Sequence, residues 1–130
     1  MGKFIISDAK NGFKFNLVAS NGETIASSQI YSAKATAKKG IESVIKNCSS
    51  PVENQTVANF EQEKNPKFEI YKDKKGEFRF RLKSSNGQIV AVGEGYANLA
   101  GVQNGIKSIQ KNAPKAQIVD QTSSARSSDK

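Results

Sequence analysis

The chain has 130 residues, of which 36% are hydrophobic and 25% charged, a composition typical of one small globular domain and not of a disordered segment. Its formal net charge is +8, and it contains one cysteine and no histidine. The missing histidine excludes the commonest general base and metal ligand, and a single cysteine excludes an intramolecular disulfide.

The positive charge is unevenly distributed along the chain. Residues 1–64 carry eight lysines against six acids, a net charge of +2, whereas residues 65–130 carry twelve lysines and arginines against six acids, a net charge of +6. A basic excess favours contact with polyanions, and it equally serves solubility.

The first residues do not resemble a targeting segment. Their only apolar run, residues 4–6, is shorter than a secretory signal requires. No stretch of the chain has the length of a membrane-spanning helix. We therefore expect a cytoplasmic protein without membrane contact.

The first elements are predicted from the alternation of apolar residues. A short strand at residues 3–7 ends at a turn closed by Gly12. In the second strand Phe13, Phe15 and Leu17 are separated by polar residues, and this period of two indicates an antiparallel strand with one packed face. Asn21-Gly22 then predicts a type I′ hairpin turn, in which both central residues have positive φ.

A third strand and a helix follow. The third strand covers residues 23–28, with Ile25 in the core, and Ser32 is the predicted N-cap of the helix. The apolar residues of the helix fall on one face: Ala37, Ile41 and Val44. Gly40 lies inside this helix, where glycine costs about 1 kcal/mol relative to alanine. We attribute it to close approach of the helix to the sheet, ahead of clearance for a ligand.

This unit is repeated in tandem. When residues 13–47 are set beside residues 78–112, fourteen of the thirty-five positions are identical, which indicates a duplication. The second unit therefore has strands at residues 67–72, 78–83 and 88–93 and a helix capped by Asn98. We predict one domain (1–122) made of repeat 1 (3–57), a linker (58–66) and repeat 2 (67–122), followed by a disordered tail (123–130).

The duplication also predicts how the repeats assemble. One repeat alone would leave the edges of a three-stranded sheet unpaired, and unpaired edges promote aggregation. We therefore predict an α+β fold in which two tandem β(3)-α-β repeats form one antiparallel sheet covered by two helices on one face. Tyr31 and Tyr96, which precede the two helices, are predicted to be packing or hydrogen-bonding anchors and not platforms for a ligand.

An ordered set of motifs in the second repeat carries a family resemblance. These motifs are FRFRL (78–82), SNGQ (85–88), GY (95–96) and NGIKSIQKNA (104–113). They resemble the YegP-like family, small bacterial proteins built from a domain of unknown function. Repeat 1 keeps most of the pattern but departs from it after Asn47, where its last strand is less clearly marked.

The resemblance implies a repeated β(3)-α-β unit in one sheet, with the C-terminal strands exchanged between the repeats. It also implies relatives that carry one copy and pair as dimers, so we expect this tandem form to be a monomer. The family brings no established activity and no functional residues to carry over.

The residues assemble no recognisable catalytic site. The acids are scattered along the chain, and no glycine-rich phosphate loop is present. Cys48 follows the first helix, where the helix dipole disfavours a thiolate, so we interpret it as a small, partly buried residue and not as a nucleophile. We expect no enzyme activity and no cofactor or metal.

One group of residues suggests a binding surface. Arg79, Arg81 and Lys83 share one side of a predicted strand, and Tyr71 and Glu69 lie on the same side of the neighbouring strand. Cations beside an aromatic ring on an open sheet face can bind single-stranded nucleic acid through phosphate contacts and base stacking. The alternative is a solvated, charged strand face that prevents edge aggregation.

Three functions remain open. The first is a non-catalytic structural or interaction module of the cytoplasm, with an unidentified protein partner. The second is binding of nucleic acid or another polyanion through Tyr71, Arg79, Arg81 and Lys83. The third is an enzyme whose site is a concave pocket with convergent acids.

Overall fold

The computed structural model describes residues 2–122, and the predicted disordered tail, residues 123–130, lies outside them. The chain forms eight strands and two helices: β1 (Lys3–Ala9), β2 (Gly12–Val18), β3 (Thr24–Ser27), α1 (Lys34–Asn47), β4 (Val52–Asn54), β5 (Lys67–Lys72), β6 (Phe78–Lys83), β7 (Ile89–Gly93), α2 (Leu99–Asn112) and β8 (Gln117–Asp120). A short 3-10 turn, Ala113–Lys115, joins α2 to β8.

All eight strands form one sheet in the order β4-β5-β6-β7-β3-β2-β1-β8. β3 and β7 pair at its centre, so the first three strands of each repeat occupy one half. The last strand of each repeat lies at the outer edge of the other half, where β4 pairs with β5 and β8 pairs with β1. This arrangement is the strand exchange that the family resemblance implies.

The sheet is mixed, whereas the sequence predicted an antiparallel one. The pairs β1–β8 and β4–β5 are parallel, and the other pairs are antiparallel. The helices explain the difference, because each carries the chain from the centre of the sheet to the far edge as a crossover. Each helix has 14 residues and is therefore about 21 Å long. Four strand spacings measure about 19 Å, so the helix length fits the crossing.

One hydrophobic core lies between the two helices and one face of the sheet. The strands contribute alternate residues, as the period of two predicts: Phe4, Ile6, Phe15, Leu17, Phe68, Ile70, Phe80 and Leu82. The helices contribute the predicted apolar positions: Ala37, Ile41, Val44, Val102, Ile106 and Ile109. Ile25 and Val90 are buried as predicted, each at a shift in strand register. The core therefore repeats in both halves.

The two Asn-Gly turns differ from the predicted type I′ geometry. Only the glycines, Gly22 and Gly87, have positive φ, at 87° and 84°. The asparagines instead accept hydrogen bonds through their side chains, Asn21 from the Glu23 amide and Asn86 from the Gln88 amide. A turn of this kind, with one left-handed glycine, is the three-residue hairpin loop.

The helix caps also differ from one repeat to the other. The Asn98 side chain accepts a hydrogen bond from the Gly101 amide, which confirms it as the N-cap of α2. The prediction of Ser32 as a cap is wrong, because α1 begins at Lys34 and its N-cap position is Ala33. Position 33 corresponds to position 98 in the repeat, so the two helices begin in the same register.

The mid-helix glycines make room for the repeated tyrosines. A Cβ atom added at Gly40 would lie 2.5 Å from the Tyr31 hydroxyl oxygen, and one added at Gly105 would lie 2.6 Å from that of Tyr96. Tyr31 also exchanges two backbone hydrogen bonds with Phe13. The glycines therefore allow the helix to approach the sheet closely, with the tyrosine ring as the element that fills the space.

Candidate functional site

The predicted cations lie together on the open face of the sheet, the face without helices. Arg79, Arg81 and Lys83 alternate along β6 with core residues, and Tyr71 lies opposite Arg79 on β5. The Arg81 guanidinium carbon is 4.4 Å from the centroid of the Tyr71 ring. These four residues are called the basic face below. Binding of a polyanion by the basic face stays a prediction.

A buried carboxylate lies at the centre of the basic face. Glu69 is 3% exposed, and its Oε1 accepts a hydrogen bond of 2.6 Å from Arg81 Nε. Lys83 Nζ lies 3.2 Å from the same oxygen, and Lys67 Nζ lies 3.1 Å from Oε2. Glu69 therefore shares its charge with three cations.

Lys67 connects this group to a second buried carboxylate. Its Nζ lies 2.8 Å from Oε1 of Glu53, which is 2% exposed on the edge strand β4. The Gln55 side chain and the Glu63 backbone amide also donate hydrogen bonds to Glu53. Glu63 belongs to the predicted linker, so these bonds hold the linker to the sheet. The ion-pair cluster comprises Glu53, Lys67, Glu69, Arg81 and Lys83.

The pKa shifts of Glu53, Lys67 and Glu69 all favour the charged form of these side chains. Burial raises the pKa of Glu69, but hydrogen bonds from three cations outweigh burial and lower that pKa to about 2. The pKa of Glu53 is lowered by the same balance between burial and donated hydrogen bonds. The hydrogen bond to Glu53 raises the pKa of Lys67, against the opposite effect of burial. Both carboxylates are thus ionised and compensate the neighbouring cations.

Arg79, the remaining cation of the basic face, also has acidic and backbone partners. Its Nη1 lies 3.7 Å from Asp73, and its Nη2 donates a hydrogen bond to the Gly93 carbonyl. The four cations Lys67, Arg79, Arg81 and Lys83 thus face three acids, a net charge of +1. Together with Lys67 and these acids, the basic face is therefore close to electrically neutral.

The uncompensated positive charge lies on the helices. Residues 34–47 and 99–115 hold seven lysines and one glutamate, a net charge of +6. Lys34 forms an ion pair of 2.9 Å with Asp120. The other six, called the helical lysines, are exposed and form no ion pair within residues 2–122: Lys38, Lys39, Lys46, Lys107, Lys111 and Lys115. Our sequence reasoning missed this surface, although the shortage of acids in both helices could have indicated it.

A groove of about 710 Å³ lies beside the helical lysines. It separates α1 of repeat 1 from the β6–β7 turn of repeat 2, and it is called the inter-repeat groove below. Glu42 is its one acidic lining residue, whereas Lys39 and Lys46 are its cations. Convergent acids, which the enzyme hypothesis requires, are therefore absent from this groove.

Metal-ligating side chains and the single cysteine were the other candidates for chemistry in the described residues. No three metal-ligating side chains of the His, Cys, Asp or Glu type cluster within residues 2–122. The Cys48 thiol is 2% exposed, and burial raises its pKa, which opposes formation of a thiolate. In the same residues neither helix has the length and apolar character needed to cross a membrane.

Comparisons with known proteins place these features in a family. A family model described as "Domain of unknown function (DUF1508)" matches residues 8–52 and 73–120, one stretch in each repeat. The chain is 42% identical over 123 residues to the UPF0339 protein YegP of Yersinia pestis, a match that covers 94% of this chain and 97% of that protein. A UPF0339 protein of Treponema denticola is 59% identical over 54 residues, covering 42% of this chain and 93% of that protein.

A solved structure agrees with the fold. The solution NMR structure of yegP from E. coli, a protein of unknown function, superposes with a TM-score of 0.77 at 32% sequence identity and 94% coverage of each chain. The family model and the relatives of matching length support the same assignment. The chain belongs to the DUF1508 family, which includes the YegP proteins and whose function is not established.

Proposed function

We propose that the protein is a non-catalytic binding module of the bacterial cytoplasm and that its partner is a nucleic acid. The observation that supports this proposal best is the separation of charge between the two faces. The helical lysines carry exposed charge without acidic partners among residues 2–122, whereas buried carboxylates compensate the basic face. A surface of this kind attracts phosphates, because each contact releases condensed counterions.

The positions of the helical lysines suit contact with an extended polyanion. Lys107 and Lys111 are four residues apart on α2, so they lie on one side of that helix. Lys39 and Lys46 are seven residues apart on α1 and line the inter-repeat groove. The lysines thus form two rows on the helical layer, which can follow a phosphate backbone.

The basic face is the competing surface for the same partner. Arg81 is the cation that stacks on Tyr71, but its guanidinium is also bound to Glu69. A phosphate that recruits Arg81 must therefore leave a buried carboxylate with one partner fewer. Because of this cost, we expect the helical lysines to bind phosphate more strongly than the basic face does.

A salt titration tests the proposal. Fluorescence anisotropy of labelled single-stranded and duplex DNA should show an affinity that falls with salt, with a slope that reports the number of phosphate contacts. Replacing Lys38, Lys39, Lys107 and Lys111 by serine should reduce that slope by about 0.7 per lost contact on single strands. Binding independent of salt would overturn the proposal, as would capture of a protein partner alone.

Matched variants locate the surface. Replacing Lys3, Lys10, Lys74 and Lys75 by serine removes the same charge from exposed positions outside the helices and should leave the slope unchanged. Arg79→Ser with Arg81→Ser tests the basic face. If this pair reduces the slope and the helical variant does not, the basic face is the binding surface.

The proposal includes a monomeric state. Each repeat supplies the edge strand that completes the other half of the sheet. One chain therefore already contains the two equivalent halves that a dimer of single-repeat relatives would bring together. Light scattering coupled to size-exclusion chromatography should give the mass of one chain. A stable dimer mass at micromolar concentration would contradict this expectation.

A further inference from the structure

The inter-repeat groove is built from both repeats. Its α1 wall includes Lys39, Ser43 and Lys46, and its opposite wall includes Ser85 and Gln88 of the β6–β7 turn. The groove therefore forms only when the two halves of the sheet assemble. Its volume of about 710 Å³ falls in the range of pockets that hold small ligands.

A tyrosine hydroxyl that has no hydrogen-bond partner within residues 2–122 lies in this groove. Tyr31 lines it, and no hydrogen bond among the described residues uses its hydroxyl group. The ring is held in place, because it stacks on Phe15 at 6.2 Å with an interplanar angle of 13° and lies against Gly40. The hydroxyl is thus a fixed donor and acceptor that is available to a ligand.

The other half of the molecule provides an internal comparison. By the repeat offset, Gln29 and Gln88 of the groove correspond to Glu94 and Glu23. These two glutamates add to burial in raising the pKa of Tyr96, whereas burial alone raises the pKa of Tyr31. Glu94 and Glu23 therefore act on Tyr96, whereas the equivalent positions beside Tyr31 are uncharged. Among residues 2–122, Glu42 is the one acid that lines the inter-repeat groove, and Lys39 and Lys46 outweigh its charge. The lining of the groove therefore favours an anionic ligand.

The lining indicates the chemical class of ligand. The amide side chains of Gln29 and Gln88 can both donate and accept hydrogen bonds, which suits the edge of a nucleobase. Lys39 and Lys46 lie two helical turns apart, about 10 Å along α1, and supply charge for phosphate at the rim. The amides can hydrogen-bond to a polar heterocyclic base, and the lysines can bind the phosphate attached to it.

We propose that the inter-repeat groove binds one nucleotide unit, with the base between α1 and the β6–β7 turn and the phosphate on Lys39 or Lys46. This inference rests on the proposed function, because it names the part of the nucleic acid that the groove takes. The unit comes from a single strand or from a free mononucleotide, since pairing occupies the base edge in a duplex.

An NMR titration of the ¹⁵N-labelled full chain tests the inference. The probes are adenosine 5′-monophosphate, inorganic phosphate, and a DNA oligonucleotide in single-stranded and duplex form. Adenosine monophosphate should shift the amide signals of Tyr31, Gly40 and Ser85, and phosphate at equal concentration should shift them less. The single strand should shift the same signals, and the duplex should not.

Two paired variants provide the control. Gln29→Glu with Gln88→Glu copies the charges of the other half and should weaken binding of adenosine monophosphate by about tenfold or more. Gln62→Glu with Gln117→Glu adds the same charge at exposed positions away from the groove and should leave the affinity unchanged. Dispersed spectra of both variants confirm that they fold.

The outcomes separate this inference from the proposed function. Salt-dependent binding of oligonucleotides without mononucleotide shifts in the groove would refute the groove as a nucleotide site and would leave the proposed function supported. Mononucleotide binding in the groove without oligonucleotide binding would support the groove as a nucleotide site and would refute the proposal that the partner is a nucleic acid. Equal shifts and affinity with inorganic phosphate would overturn the nucleotide assignment.

Discussion

Replacing Glu69 by glutamine tests whether the ion-pair cluster stabilises the fold. Glutamine keeps the size of the side chain and removes the charge that three cations share. The cluster lowers the pKa of Glu69 from 4.5 to about 2. Because one pKa unit corresponds to about 1.36 kcal/mol, the ionised form is favoured by roughly 3 kcal/mol. We therefore expect the variant to lose about 3 kcal/mol of unfolding free energy at neutral pH, close to the cost of breaking a buried ion pair.

The pH dependence of this loss identifies its cause. The folded-state pKa of Glu69 lies below the ordinary value, so its stabilisation is complete above about pH 4.5 and disappears as the pH falls through about 2. Urea denaturation at several pH values should show wild type and variant converging over that window. Glu42→Gln is the control, because this exposed acid forms no ion pair among the described residues, and its effect should stay below about 0.5 kcal/mol. A Glu69→Gln loss under about 1 kcal/mol at neutral pH, or one that does not change with pH, refutes the reasoning.

Other predictions concern packing, capping and reactivity. Gly40→Ala should lower the thermal midpoint despite better helix propensity, because its Cβ would lie 2.5 Å from the Tyr31 hydroxyl oxygen, and adding Tyr31→Phe should recover part of the loss. No recovery would contradict the packing explanation. Asn98→Ala should cost about 1 kcal/mol in urea denaturation, whereas Ser32→Ala, which removes no cap, should cost well under half of that. Cys48 should react with iodoacetamide far more slowly in the native protein than in urea, because its thiol is buried with a raised pKa. Equal rates in both conditions would show that the thiol is accessible.

The duplication made most of the fold predictable. A single alternating segment such as residues 13–17 is a local pattern, but its recurrence at residues 78–82 established that each repeat contains the same strand. The glycine repeated inside each helix likewise predicted close approach of helix and sheet, which the contacts at Gly40 and Gly105 confirm. The strands and helices that have a local sequence pattern were therefore identified with approximate bounds, whereas two local details, the type I′ geometry of the Asn-Gly turns and the Ser32 cap, were wrong.

Features that depend on distant residues were not predictable in this way. The direction of β4 and β8 depends on where a helix delivers the chain, and a local pattern does not contain that information. Glu53 appears in the sequence as one acid on a short strand, and its role emerges only when Lys67 folds against it. The inter-repeat groove joins α1 to a turn about forty residues further along the chain, so neither segment alone indicated it.

The parallel pairing of β1 with β8 sets an order of events during folding. Lys3 pairs with Gln117, so this contact closes almost the whole described chain into a loop. The entropy lost in closing a loop grows with its length, and long-range strand pairing slows folding. On the ribosome β1 emerges well before β8, and its outer edge stays uncovered until β8 has been synthesised. Within residues 2–122 the β1–β8 pairing therefore completes the sheet only after all the other strands have been synthesised, and a chain interrupted before β8 would expose an open strand edge to chaperones and proteases.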